Sequence, residues 1–215
     1  MPSNNNFNLR GYYGGTFDPI HQGHLQLALY VQAYCQLSLL ELLPCHIPPH
    51  RATPGSSSAH RAAMVRLAIA GHSALQINEL ELNKNQASFT VDTLRTLKQQ
   101  HPDDALCFLL GMDSLCSFKR WHQYPQILEL AHLIVLQRPG YDAVAGDAPS
   151  LLAAYQAKDL TELHQHSAGK ILLLDNPTYN ISASQIRGQY QQNQLDPSLQ
   201  IPAVQQYIEQ HQLYR

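Results

Sequence analysis

The chain has 215 residues, of which 44% are hydrophobic and 14% charged, and its formal net charge is −2. This length and apolar content suit a single α/β domain with a buried core. No dense run of lysine and arginine occurs, so the composition argues against DNA, tRNA or another nucleic acid as a partner, whereas small nucleotides remain open. No apolar run approaches the roughly 20 residues that span a bilayer, so no membrane contact is expected.

The cysteines bear on the compartment. Cys35, Cys45, Cys107 and Cys116 show no CxxC spacing, and the N-terminus carries no charged, apolar and cleavable signal. We therefore expect thiols in a reducing cytoplasm rather than disulfides or a metal site.

The first apolar stretch predicts a strand that leads into a helix. Phe7, Leu9, Gly11 and Tyr13 alternate with other residues as in a strand, and apolar residues within 25–32 follow helical spacing. The junction, residues 14–24, reads GGTFDPIHQGH. A junction of this kind is where phosphates bind in nucleotide-handling α/β proteins.

The residues of this junction suit an anion. Gly14 and Gly15 lack Cβ atoms, so the backbone can approach a phosphate, and the first helical turn offers N–H groups and a partial positive charge. His21 and His24 lie three apart on one helix face, and both rings can donate to the same oxyanion. The alternative is a glycine turn followed by two surface histidines.

The rest of the chain alternates strands and helices. Further strands are predicted over 37–43, 75–82, 105–110, 133–136 and 171–174. Helices are predicted over 59–70, 91–100, 118–131, 150–164, 184–192 and 203–211, and loops over 44–58 and 139–149. This order predicts a Rossmann-like, doubly wound parallel sheet with helices on both faces, in one domain over 1–215. Ligands of such sheets bind at the carboxyl ends of the strands, near the topological switch point.

Four later blocks could complete a nucleotide site, and each has a structural alternative. Gly111 and Asp113 follow a strand and suit a ribose, although Asp113 could instead be a helix N-cap. Trp121 could stack on a flat ring of a ligand or fill the core. His50 and Arg51, in PPHR, could meet a phosphate or lie in an exposed loop.

The fourth block is ISASQIR, from residue 181. Ser182, Ser184 and Arg187 bring hydroxyls and a guanidinium to the start of a helix, where they could converge on a polyphosphate. The alternative is a serine N-cap with a solvated arginine.

Together these blocks carry a resemblance. The chain resembles the HxGH-motif nucleotidyltransferases, and most of all the bacterial nicotinate-nucleotide adenylyltransferases. HQGH alone would also suit pantetheine-phosphate adenylyltransferases, cytidylyltransferases or class I aminoacyl-tRNA synthetases. The narrower match rests on PPHR, SFT, GMDSL, Trp121, HLIVLQRPG and ISASQIR, which follow in the family's order over nearly the whole chain.

The resemblance implies a role for each block. Ser182, Ser184 and Arg187 would bind the β and γ phosphates of ATP, with the helical part at 182–215 completing that site; the family's usual threonine is replaced by Ser184, which keeps a hydroxyl. Backbone amides at the SFT position would hold the nicotinate carboxylate, and Phe89 and Thr90 would shape that pocket beside Trp121. The predicted ATP site comprises Gly14, Gly15, Thr16, Phe17, His21, His24, Gly111, Asp113, Ser182, Ser184 and Arg187. The predicted nicotinate mononucleotide site comprises His50, Arg51, Phe89, Thr90 and Trp121.

The expected reaction is adenylyl transfer. The phosphate of nicotinate mononucleotide would attack the α phosphorus of ATP in line, with His21 and His24 as the catalytic residues.

The sequence shows no carboxylate cluster, so Mg²⁺ is expected as a cofactor that is held by nucleotide and water rather than by a protein metal site. Asp18 and Arg138 are predicted to be mainly structural or to support the residues that contact substrate. A sibling enzyme with another phosphate acceptor, or a non-catalytic nucleotide sensor, remains an alternative, and the oligomeric state is open.

Overall fold

Six parallel strands form one sheet in the computed structural model, which describes residues 6–45, 54–82, 89–137, 140 and 142–215. The strands are β1 (Leu9–Gly15), β2 (Leu39–Pro44), β3 (Leu75–Ile77), β4 (Ala105–Gly111), β5 (His132–Leu136) and β6 (Ile171–Leu174). Their order across the sheet is β3-β2-β1-β4-β5-β6. The sequence of strands reverses between β1 and β4, which places the switch point there.

Helices connect the strands. They are α1 (Gln22–Tyr34), α2 (Ser58–Ile69), α3 (Thr90–Gln100), α4 (Met112–Leu115), α5 (Tyr124–Leu130), α6 (Ala148–Tyr155), α7 (Thr161–Gln165), α8 (Ala183–Gln192) and α9 (Pro202–Gln210). Short 3-10 turns cover Phe118–Arg120 and Pro197–Leu199. None of the helices in the described ranges is long and apolar enough to cross a membrane.

Both faces of the sheet are covered. Successive strand residues point to opposite faces. Cys107 and Leu109 of β4 pack in a cluster with residues of α1, α2, α8 and α9. Leu106, Phe108 and Leu110 pack in a second cluster with residues of α3, α5 and α6. The predicted doubly wound sheet is therefore confirmed, and all four cysteines are free thiols, as predicted.

The strand predicted over 75–82 is too long. It ends at Ile77, because the side chain of Asn78 redirects the chain. Its Nδ2 donates to Glu41 Oε2 at 2.8 Å, and its Oδ1 accepts from the N–H of Leu80 at 3.0 Å. The second bond closes a local turn that competes with the strand ladder.

Two predicted helices are each divided. The helix over 118–131 breaks before α5, because Gln123 has a left-handed backbone with φ 52° and Pro125 occupies the first turn of α5. The helix over 150–164 breaks after α6, where the N–H of Ala157 donates to the carbonyl of Ile171 at 2.8 Å. Pairing with the edge strand β6 thus replaces helical bonds at that point. The short helix α4 was not predicted.

Candidate active site

The end of β1, where the chain turns towards α1, is shaped by close packing around Gly14 and Gly15. A Cβ atom on Gly14 would lie 3.1 Å from Phe108 Cζ, and one on Gly15 would lie 2.8 Å from Phe17 Cζ. The Phe17 side chain is only 2% exposed, and its backbone is left-handed with φ 50°. Glycine thus leaves room for two aromatic rings here, in addition to the phosphate approach that the sequence predicts.

The two histidines of the motif lie together. The ring centroids of His21 and His24 are 3.7 Å apart and the planes are 25° from parallel. His21 is the N-cap residue of α1 and is 5% exposed. A Cβ atom on Gly23 would lie 3.2 Å from His21 Nδ1 and 3.2 Å from Tyr179 Cβ. The glycine between the histidines therefore leaves room for the His21 ring over the start of the helix.

Two further aromatic rings pack against His24. Phe17 meets it edge-on with centroids 5.2 Å apart, and Tyr13 does so at 6.2 Å. The predicted pair is thus brought together on one face of the first helical turn, with both rings fixed by packing.

A cleft of about 880 Å³ opens at the carboxyl ends of β1 and β4, which is where a doubly wound sheet binds its ligands. Every predicted site residue that the structure describes lines this cleft: Gly14, Gly15, Thr16, Phe17, His21, His24, Phe89, Thr90, Gly111, Asp113, Trp121, Ser182, Ser184 and Arg187. His50 and Arg51 lie outside the described residues, as does Arg138.

The start of α8 shows the serine N-cap of the alternative interpretation of ISASQIR. Ser182 is the N-cap, and its Oγ accepts from the N–H of Gln185 at 3.2 Å. The solvated arginine of the alternative is wrong. Arg187 Nη1 donates to the backbone carbonyl of Asp18 at 2.7 Å, and Nη2 donates to Ser184 Oγ at 3.2 Å. Arg187 is therefore turned towards residues 14–24, which we call the β1–α1 motif.

The other side of the cleft follows β4. Gly111 is the N-cap of α4, and Asp113 lies in the first turn of that helix, so Asp113 is not the N-cap. The half-buried Trp121 packs against Phe118 with ring centroids 5.3 Å apart and against Phe108 at 6.2 Å. Its indole thus joins the core on one side and lines the cleft on the other, so the core interpretation is only partly right.

Phe89 and Thr90 open helix α3 at the same end. Phe89 is its N-cap residue and Thr90 its first residue. The Phe89 ring is 36% exposed and lies 4.6 Å from the His122 ring, tilted by 37°. His122 was not predicted, although it follows Trp121 directly in the sequence and lines the cleft.

Asn176 is a second residue that the sequence analysis missed. It is 6% exposed and lines the cleft after β6. Its Oδ1 accepts from the N–H of Gln137 at 2.7 Å, and its Nδ2 donates to the carbonyl of Pro177 at 2.9 Å. Asn176 therefore ties the end of β5 to the segment after β6. Its position after a predicted strand was the signal available.

A thiol also borders the cleft. Burial raises the pKa of Cys45, and this outweighs the opposite effects of the contact with Thr16 and the charge of Arg61. The thiol therefore stays protonated near neutral pH and is a poor nucleophile. The arrangement instead offers ring N–H groups, a guanidinium and hydroxyls, which are donors suited to phosphate oxygens.

Comparisons with known proteins identify the relatives of this chain. A family model described as Cytidylyltransferase-like matches residues 12–189. The chain is 42% identical over 210 residues to a protein of Cronobacter sakazakii, covering 96% of both chains. It is 44% identical over 210 residues to one of Aeromonas salmonicida, covering 95% of this chain and 96% of that one. Both relatives are named "Probable nicotinate-nucleotide adenylyltransferase".

Solved structures show the same fold. Plasmodium falciparum nicotinic acid mononucleotide adenylyltransferase complexed with NaAD matches with a TM-score of 0.73 at 20% identity, covering 96% of this chain and 97% of that chain. With the family match and the cleft at the switch point, this makes the chain a nucleotidyltransferase of the cytidylyltransferase-like class. Relatives that match nearly its whole length narrow the class: the chain belongs to the nicotinate-nucleotide adenylyltransferase family.

Proposed function

We propose that the protein transfers the adenylyl group of ATP to nicotinate mononucleotide, giving nicotinate adenine dinucleotide and pyrophosphate, as a step of NAD biosynthesis. The observation that carries this proposal is the stacked pair His21 and His24 at the start of α1, in one cleft with Arg187 and Trp121. Two relatives that match nearly the whole chain at over 40% identity are both named nicotinate-nucleotide adenylyltransferases, and this supports the choice of substrates.

The chemistry needs alignment more than activation. The mononucleotide phosphate is already anionic, so its oxygen attacks the α phosphorus in line and no protein nucleophile takes part. The P–O bond to the β phosphate breaks, and pyrophosphate leaves. His21 and His24 donate ring N–H groups to the oxygens on which charge develops. Arg187, with Ser182 and Ser184, orients the β and γ phosphates.

The acceptor is held at the other end of the cleft. Trp121 offers one indole face to the pyridine ring, beside Phe89 and Thr90 at the start of α3. Backbone N–H groups at that helix start favour a carboxylate over an amide, because the amide would leave donors facing a donor. Asp113 accepts from ribose hydroxyls.

Mg²⁺ fits this site only as part of the substrate. No group of three or more metal-ligating side chains occurs in the part of the chain that the structure describes. The Asp18 carboxylate, which also lines the cleft, already accepts from three donors. We therefore expect Mg²⁺ to arrive on the ATP phosphates and water, where it supplies further neutralisation of charge.

The setting follows from the substrates and the thiols. Both partners are small nucleotides, and neither a nucleic acid nor a membrane is part of this proposal. The four free cysteines suit a reducing compartment, so we place the enzyme in the cytoplasm.

The test compares two acceptors side by side. The purified protein is given ATP and Mg²⁺ with either nicotinate mononucleotide or nicotinamide mononucleotide, and dinucleotide and pyrophosphate are both measured. We expect kcat/KM for the acid to exceed that for the amide at least about tenfold, the scale of one buried unpaired group. Phosphopantetheine is tested as a third acceptor, and turnover with it but with neither mononucleotide would identify a sibling enzyme. Saturable ATP binding without turnover on any acceptor would identify a nucleotide sensor.

A further inference from the structure

Asp18, inside the β1–α1 motif, is bonded to a distant part of the chain. Its side chain is only 5% exposed, and each carboxylate oxygen has a partner. The N–H of Gly55 donates to Oδ2 at 2.6 Å, and the hydroxyl of Ser56 donates to Oδ1 at 2.6 Å. The hydroxyl of Tyr214 donates to the same Oδ1 at 2.7 Å. Three donors from two other segments thus fix one buried carboxylate.

The same residue holds the arginine of the proposed triphosphate site. Arg187 Nη1 donates to the Asp18 carbonyl at 2.7 Å and lies 3.8 Å from carboxylate Oδ2. A Cβ atom on Gly55 would lie 3.4 Å from Asp18 Oδ2, 3.5 Å from Arg187 Cδ and 3.5 Å from Tyr214 Cε1. We call these five residues, Asp18, Gly55, Ser56, Arg187 and Tyr214, the Asp18 cluster.

The chain after α9 is bent to deliver Tyr214. Gln212 and Tyr214 both have left-handed backbones, with φ of 54° and 64°, a conformation that costs energy in residues other than glycine. Burial raises the pKa of the Tyr214 phenol, and the Asp18 carboxylate raises it further. The hydroxyl is therefore protonated and donates, and the contact with Asp18 helps to offset the backbone strain.

The negative charge of Asp18 also has to be compensated. A carboxylate that lines a cleft for ATP would repel the triphosphate unless its charge were compensated. Hydrogen bonds to both oxygens and the nearby guanidinium provide that compensation. The loss of a donor at Oδ1 would leave more negative charge facing the phosphates and would free the motif backbone that anchors Arg187.

We propose that Asp18 is a positioning residue for ATP and that the Tyr214 hydroxyl, acting through it, sets the place of Arg187 and the charge at the triphosphate end of the cleft. This inference rests on the proposed function. It assigns a positioning role to Tyr214, which is 196 positions away from Asp18 in the sequence.

The test removes single hydroxyls. Tyr214→Phe and Ser56→Ala each delete one donor to Asp18 Oδ1 and keep the surrounding packing. The matched control is Tyr207→Phe, which deletes a phenol hydroxyl 2.9 Å from His60 Nδ1, between α2 and α9. We expect the two cluster variants to raise the KM for ATP about tenfold, the effect of one hydrogen bond to a charged group. The KM for the mononucleotide should change less than about twofold, and the control should match the wild type.

A second readout needs no activity. Amide hydrogen exchange of residues 183–187 in the free protein should be at least about fivefold faster in both cluster variants than in Tyr207→Phe. Unchanged exchange together with an unchanged KM for ATP would overturn the proposal, as would equal weakening of both substrates. A wild-type protein that forms no dinucleotide would refute the proposed function instead, and the exchange rates would still decide the role of Tyr214.

Discussion

His24 serves packing and proposed chemistry with different parts of one ring. The face of the imidazole stacks on His21, and its surroundings include the edge-on rings of Phe17 and Tyr13. Any aromatic ring could keep those contacts, whereas the oxyanion needs an N–H donor. The two demands can therefore be separated by substitution.

The first prediction uses that separation. His24→Ala and His24→Phe should each lower kcat roughly 100-fold or more, the scale for one preorganised oxyanion donor. The KM for the mononucleotide should stay near the wild-type value, because the role proposed for the ring is to stabilise the oxyanion rather than to bind the acceptor. Steady-state kinetics with both substrates measures this, and His60→Ala, a histidine that contacts Tyr207, is the control. Near-normal turnover of His24→Phe would end the catalytic assignment.

Elements at the edge of the sheet depend on another histidine. His132 begins β5 and is fully buried. Its Nδ1 accepts from the N–H of Lys170 at 3.1 Å, and its Nε2 lies 2.8 Å from the carbonyl of His166, to which it donates as the neutral Nε2–H tautomer. Burial lowers the pKa of His132 from 6.5 to about 4. A proton on Nδ1 would break the bond to the segment that leads into β6.

The second prediction concerns acid stability. The unfolded chain binds a proton on this imidazole below pH 6.5, whereas the folded protein does so only below about 4, so stability is lost as the pH falls through that window. The loss attributable to His132 should reach about 3 kcal/mol in the free energy of unfolding. Urea unfolding at about pH 7 and about pH 4.5 should show a smaller pH dependence for His132→Gln, which keeps an N–H donor. Equal pH dependence in both proteins would contradict the assignment.

Continuous apolar runs were predictable as strands, whereas the interruptions of longer predicted elements were not. The strand predicted over 171–174 matches β6, because a continuous apolar run with both faces buried has few other solutions. The breaks after Ile77 and before α5 depend on Asn78 bonding to Glu41 and on a left-handed Gln123. The first break depends on a contact between residues that are distant in sequence, and the second on a rare backbone conformation. Hydrophobic periodicity reveals neither feature.

The whole molecule assembles the site from segments far apart in the chain. The β1–α1 motif could be predicted because its glycines and histidines lie within residues 14–24. The bond between Asp18 and Tyr214 could not, because nothing local to either residue marks the other. Asn176 was missed for the same reason, since its role depends on Gln137, which directly follows the neighbouring strand β5. Sequence thus indicates the groups that touch substrate better than those that hold them in place.

One cleft holding two substrates makes stability depend on each ligand separately. In the proposed arrangement, Arg187 and the motif histidines contact ATP and Trp121 contacts the mononucleotide, and all of them line the cleft. A ligand at about 100 times its Kd stabilises the folded state by about 2.7 kcal/mol. For a chain of this size that corresponds to a rise in Tm of roughly 5–10 °C.

The third prediction follows from this division. ATP should raise the Tm of the wild type and of Trp121→Ala by similar amounts, whereas nicotinate mononucleotide should raise the Tm of the wild type and lose most of that effect in Trp121→Ala. Trp121→Phe keeps an aromatic face against Phe118 and should recover part of the response. Thermal unfolding with each ligand alone measures these shifts without turnover. Equal loss of both responses in Trp121→Ala would mean that the indole supports the fold of the cleft rather than the pyridine ring.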